Sequence, residues 1–353
     1  MTQTKKILLT LTLGVCTLAA GCVSIGPRAI ELSRGEFNNS IHRTDGEQLL
    51  LNIVRQRYND PVMFLDVASV SSSVSRSASL SLSSFITKNI TTGGASTGMG
   101  GGISESPLVF YSPNTGEKFV RQILTPIDLR TISLLLQSGW SIERLLLVAG
   151  ESVNGIRNVA SKTTAYAELA DTFRSLQRQD ALSFAIERVE NSDVLAVIVA
   201  QSAWRDPAYL KICEILKLRP DGRAIRFRLG IGSQDDASGA YVMLATRSLF
   251  SSFYFLSNGI SIPQDDLKKR IIQSRQVSGG LFDPSAGELF HVRVSSSEPA
   301  EAAFKTRYRN HWFYIPETDA DTRTTFALLS IMHMLQSGDT SRMAPLISLS
   351  PTR

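Results

Sequence analysis

Ser69–Ser83 reads SVSSSVSRSASLSLS, with serine at every odd position and Val70, Ser72, Val74, Arg76, Ala78, Leu80 and Leu82 between. A repeat of two is the period of a β-strand, whose successive side chains take opposite faces. The run predicts a long strand with one hydroxyl face and one mainly apolar face. At about 3.3 Å per residue it reaches roughly 50 Å. Glycines follow at 93, 94, 98, 100, 101 and 102, and Leu108-Val109-Phe110-Tyr111 offers a returning strand before Pro113. Residues 64–112 are therefore expected to form a long Ser/Gly-rich β-hairpin with a flexible, glycine-rich tip.

Outward from this stretch the period changes. Thr44-Asp45-Gly46-Glu47 has the form of a capping box opening a helix through Leu49, Leu50, Ile53 and Val54, and Asn59-Asp60-Pro61 stops it. Before it, residues 22–43 carry Gly26 and Pro27 and few periodic hydrophobics, which suits a tether. Beyond the hairpin, Thr125-Pro126-Ile127-Asp128 supplies an N-cap, an N1 proline and an acid, with Gly139 placed as C′. Helices are expected over Ile142–Val153 and Ala165–Leu176. Strands are expected over Leu182–Val189, Val194–Val199 and Ala224–Ile231, with a helix opened by Asp206-Pro207 between the last two. Then come helices over Ala245–Leu256 and Asp265–Ser274, and strands near Leu289–Val294 and Trp312–Ile315. Thr318-Asp319-Ala320-Asp321 opens a last helix ending before Gly338.

Helices and strands mix without a strict βαβ rhythm, so the expected class is α+β with the hairpin as an insertion. The expected domains are a helical region, 44–160, carrying the hairpin, and an α+β domain, 161–353. The 353 residues are 43% hydrophobic and 20% charged, enough apolar material for a sizeable core and too much for wholesale disorder. Three cysteines exclude a disulfide-built scaffold.

The first residues read differently. Lys5 and Lys6 precede an apolar run, Ile7 to Leu18, too short for a permanent membrane span, and small residues Ala19-Ala20-Gly21 lead to Cys22. Leu18-Ala19-Ala20-Gly21-Cys22 resembles the lipobox of bacterial lipoproteins. The resemblance implies removal of residues 1–21 as a signal peptide, lipid on the Cys22 thiol and an acylated new amino terminus. Val23 stands where aspartate favours inner-membrane retention in enterobacterial lipoproteins, so the implied destination is the outer membrane. Leu49–Tyr58 and Arg247–Gly259 are also similar to uncharacterised proteobacterial lipoproteins, a resemblance that carries no activity. Losing Lys5 and Lys6 lowers the formal charge from +5 to +3, and losing Cys16 leaves Cys213 as the free thiol. Cys213 lies in an apolar helical run, where a buried structural role is expected.

Chemistry-bearing patterns are sparse. His42, His291, His311 and His333 have no metal-ligand spacing, and no HExxH or CxxC occurs. The glycine run lacks a phosphate-loop signature, and Gly150–Gly155 is not a nucleophile elbow. Asp235/Asp236, Asp265/Asp266 and Asp319/Asp321 fall at loops or helix starts, where negative charge complements the helix dipole. Arg226 and Arg228 alternate with Ile225, Phe227 and Leu229, while Lys305, Arg307, Arg309 and His311 alternate with Phe304, Tyr308 and Trp312. As strands, each segment would display a cationic face, a candidate site for envelope anions; an exported chain argues against nucleic acid.

The expectation is a non-enzymatic, cofactor-free lipoprotein with a structural or assembly role in the envelope. Its partners are the membrane, through Cys22, and further copies of itself through the 64–112 hairpin, or a larger envelope complex. The alternatives are an oligomeric outer-membrane pore or export channel built from the hairpins, and a cell-wall or lipid hydrolase.

Overall fold

The computed structural model describes residues 25–85, 94–159, 164–222, 224–232, 240–272 and 289–337. Cys22, Asp235, Asp236 and Gly338 lie outside them. The fold is α+β. The chain divides into Met1–Gln48 and Leu49–Arg353.

Helix α1 runs Ile25–Arg57. The stretch expected as a tether is thus helical from Ile25. Pro27 falls in the first turn, where its missing N–H costs nothing. Thr44 is not an N-cap: its Oγ1 donates to the Ser40 and Ile41 carbonyls, as a hydroxyl within a continuing helix does.

Strands β1 (Phe64–Phe85) and β2 (Gly94–Asn114) pair antiparallel with each other. Their connection, residues 86–93, lies outside the described residues, and with it the tip of the expected hairpin. Gly98 to Gly102, expected in that tip, are part of β2, opposite Ser81 to Ser77. Helices α2 (Glu117–Leu124), α3 (Leu129–Gln137) and α4 (Ile142–Ala149) follow. Asp128 itself caps α3, accepting from the Thr131 N–H at 2.6 Å, so this helix starts later than Thr125-Pro126 implied. The expected Ile142–Val153 helix also ends early, at Ala149. A Cβ at Gly150 would collide with the Tyr166 hydroxyl and the Leu146 carbonyl, and the chain leaves as β3 (Gly150–Val153) and β4 (Ile156–Arg157).

The second half adds α5 (Ala165–Arg178), β5 (Leu182–Val189), β6 (Ser192–Val199), α6 (Pro207–Leu216), β7 (Ile225–Leu229) and β8 (Val242–Thr246). Six strands form one sheet in the order β4-β3-β8-β7-β6-β5, with only the β7–β8 neighbours parallel. This sheet draws strands from both sides of the boundary expected at residue 160. Residues 245 and 246, expected in a helix, complete β8; Ser248 then caps α7 (Leu249–Leu256), accepting from the Ser251 N–H. After α8 (Gln264–Lys268), strands β9 (Arg293–Ser295), β10 (Ala302–Tyr308) and β11 (His311–Pro316) make a second sheet, ordered β10-β11-β9, and α9 (Ala320–Ser337) closes the described chain. Asp319 caps α9 through Thr322, as expected.

The core is one cluster shared by the helices and both sheets, from Leu50 and Ile53 to Phe313 and Phe326. One buried polar knot ties it. The Arg247 guanidinium donates to the carbonyls of Leu147, Val148, Gly150 and Asn158 and stacks over Phe255 at 3.8 Å. The Asn158 amide and the Tyr166 hydroxyl donate to further carbonyls at the same α4 terminus. Burial pushes the Arg247 pKa down to about 10.

Candidate functional site

The β1–β2 ladder is the part of this fold with the most unused bonding capacity. Its strands, of 22 and 21 residues, are hydrogen-bonded to no other strand among the described residues. At about 3.3 Å per residue it is roughly 70 Å long. Among the described residues no other strand covers the outer edge of either β1 or β2, and a two-stranded ladder standing alone is marginal in water.

The ladder is rooted from both sides. Asn52, fully buried in the last turns of α1, grips Met63: its Nδ2 donates to the Met63 carbonyl at 2.7 Å, and its Oδ1 accepts from the Met63 N–H at 3.0 Å. Phe64 enters the core, stacked on His333 of α9 at 4.5 Å and edge-on to Phe119 of α2 at 5.9 Å. Burial lowers the His333 pKa. Asn114, opposite Phe64 in the register, is buried as well. One step outward the environment reverses. Leu65 and Val109 are exposed, and Phe110 and Tyr111 are 51% and 63% exposed. Ala68 then sits in a bulge, which sets the register of everything beyond it.

That register matters because directly opposed residues share a face. Ser73 pairs with Ser106, Ser75 with Ser104, Ser77 with Gly102, Ser79 with Gly100, Ser81 with Gly98 and Ser83 with Ser96. From Ser73 to Ser83 the odd-numbered serines of β1 therefore meet only serine and glycine positions of β2, whereas nearer the root Ser69 and Ser71 stand opposite Phe110 and Leu108. Alternation within β1 was legible in the sequence; its match to β2 was not, because it depends on the single extra residue at Ala68.

The five basic residues are divided between strands of two sheets and one turn. Arg226 and Arg228 lie on β7, where Glu187 and Glu190 bond them at 2.8 and 3.2 Å, and Arg228 also stacks over Tyr241. Lys305 and Arg307 lie on β10; Lys305 pairs with Glu298 at 2.8 Å and Arg307 is exposed. Arg309 is not in a strand. With Asn310 it forms a two-residue turn, both at positive φ, and its guanidinium meets Asp60 at 3.3 Å. Tyr308 also donates to Asp60, holding that carboxyl below its ordinary range, and Arg309 adds to the effect. Next to this pair, the Tyr58 hydroxyl donates to buried Asp266 at 2.6 Å, and burial above all raises its pKa.

Cys213 is buried on α6, and burial raises its thiol pKa. Ser261 Oγ lies 2.9 Å from His291 Nε2, but this pair flanks an isolated bridge between Ile260 and Val292, with the Ser261 N–H donating to the Val292 carbonyl. Among the described residues no group of His, Cys, Asp and Glu could hold a metal ion, and no helix is long and apolar enough to cross a membrane. No protein-family model, curated protein or solved structure matches the chain.

Sequence reading missed the root. Asn52 carried a signal, a lone amide inside the apolar run Leu49-Leu50-Leu51-Asn52-Ile53-Val54. Phe64 and His333 carried none, being 269 positions apart in the numbering.

Proposed function

We propose that this chain is a lipid-anchored lipoprotein of the outer membrane with an assembly role in the cell envelope, self-associating by strand pairing along the free edges of the β1–β2 ladder. One observation carries the reading: a ladder of more than twenty residues per strand that, among the described residues, pairs with no further strand and is held at its base by buried residues. Each edge hydrogen bond gained by pairing contributes about 0.5–1.5 kcal/mol net, so an edge of this length supplies substantial association energy. The lipobox-like ending at Cys22 supports the anchor and the address.

The test has two arms. Replacing residues 69–106 by a short Gly-Ser linker is expected to convert an oligomer into a monomer in light scattering of detergent-extracted protein, while leaving cooperative unfolding in place. Cys22→Ser is expected to release the protein from the membrane fraction or leave it unprocessed. A shortened chain that stays fully oligomeric refutes the assembly role of the ladder, and an anchored, processed Cys22→Ser protein refutes the lipid anchor.

A further inference from the structure

We infer that the outer part of the ladder, Ser77–Phe85 paired with Gly94–Gly102, is a membrane-crossing unit: one face meets the hydrocarbon of a lipid bilayer, and several copies close edge to edge into a barrel. This deepens the self-association reading and rests on it.

The register supplies the first argument. From Ser73 to Ser83 one face of the ladder has only serine or glycine at every position of both strands. On the opposite face Ala78, Leu80 and Leu82 stand across from Gly101, Met99 and Thr97. A slip of one residue would bring Met99 and Ile103 onto the serine face and destroy this division. The bulge at Ala68 prevents that slip. A two-faced ladder of small polar against apolar positions is the alternation that a barrel wall needs between lumen and lipid.

Charge and length supply the second. No charged residue occurs in 77–85 or 94–102. Arg76 and Glu105 are the first charges met going back toward the root. Arg76 pairs with Ile103 and Glu105 with Val74, so the two stand diagonally on the apolar face and close it at one level. A tilted strand crosses the hydrocarbon in about 9–11 residues, which the uncharged section provides. Charges are costly at the midplane and tolerated at the interface, so the Arg76–Glu105 level marks the headgroups. The twelve steps from Phe64 to Arg76 span roughly 40 Å, enough to hold the crossing section clear of the rooted base. Closure answers the remaining problem: hydrocarbon offers no partner for edge N–H and C=O groups, and only a closed ring of ladders satisfies them all.

The experiment uses the full-length lipidated protein in phosphatidylcholine–phosphatidylglycerol vesicles loaded with a self-quenching dye. Intact protein is expected to release the dye, as is Ser79→Arg, whose charge falls on the water-lined face. Leu80→Arg, one residue away on the lipid face, is expected to reduce release at least several-fold. Single cysteines at positions 77 to 82, in a Cys213→Ala background and labelled with a fluorophore, give an independent reading. Positions 78, 80 and 82 should be quenched by nitroxide lipids, and 77, 79 and 81 by aqueous iodide. Light scattering on the same samples separates the two readings. An oligomer that neither leaks nor shows alternating quenching overturns the membrane-crossing inference and leaves self-association standing. A monomer overturns both.

Discussion

Arg247 shows how one residue can replace a helix's missing hydrogen bonds. Helix α4 ends at Ala149 because Gly150 must pass close to Tyr166, so its last carbonyls have no N–H partners in the next turn. The buried guanidinium fills that role, bonding Leu147, Val148 and Gly150, with its positive charge at the negative end of the helix dipole. Removing it leaves the buried Asn158 carbonyl without this donor, while Leu147 and Gly150 keep the Asn158 amide and Val148 keeps the Ser252 hydroxyl; an unpaired buried group costs about 1–3 kcal/mol. Arg247→Met, close in volume but without donors, is therefore expected to lower unfolding free energy by about 1–3 kcal/mol in urea titrations. A loss below about 1 kcal/mol would mean that water replaces the guanidinium and that the knot is not structural.

At the scale of elements, the ladder and the core meet in very few places. Asn52 and Phe64 do most of the joining, the first through two hydrogen bonds to one backbone unit and the second through ring packing against His333 and Phe119. Asn52→Ala deletes both hydrogen bonds, but Met63 is half exposed and water can take over its backbone groups. The expected global loss is about 1–2 kcal/mol. The local effect should be larger: amide exchange at Phe64 to Val67 should quicken more than exchange in the β5–β6 pair. Equal quickening in both places would show that Asn52 supports the core generally and not the ladder root. The same economy explains the basic residues. Arg226 and Arg228 on β7 meet carboxylates that reach across β6 from β5 and from the β5–β6 turn, so what reads as a cationic stripe along one strand is a set of ion pairs across the sheet.

At the scale of the molecule, stability should depend on pH through the junction of α9 with the ladder root. His333 is neutral in the fold because burial lowers its pKa below the ordinary 6.5, with Asp66 opposing the shift. Below that pH the unfolded chain takes up a proton that the folded chain refuses, so stability falls with acidification and levels off once the folded imidazole also protonates. Asp60 acts in a separate, more acidic window: its lowered pKa adds stability above the ordinary carboxylate value and loses it as pH falls through the folded one. The thermal midpoint is expected to hold steady near pH 7.5 and drop as pH falls below the ordinary 6.5 of a histidine, and His333→Leu should flatten that drop. A wild-type midpoint unchanged by that acidification would contradict the assignment to His333.

Local rules of the chain determined a good part of this protein. Apolar alternation gave away β5 and β7 and a continuous apolar run gave away most of β6, because a strand repeats every second residue where one face meets a core and reads apolar throughout where both faces are buried. Asp206-Pro207 and Asp319 marked helix starts correctly, since a cap bonds only its own first turn. The mixed α+β class followed from the succession of such elements. Long-range contacts decided the rest. Val242–Thr246 became a strand because β7 and β3 lie on either side of it, and Ile142–Ala149 stopped short because Tyr166 claims the space above Gly150. The ladder divides along the same line. Its serine period is written in Ser69–Ser83, but the pairing of serine with glycine depends on register, fixed at a one-residue bulge and anchored by Asn52 and His333 from opposite ends of the chain. Period is a property of neighbours in sequence, whereas register is a property of neighbours in space.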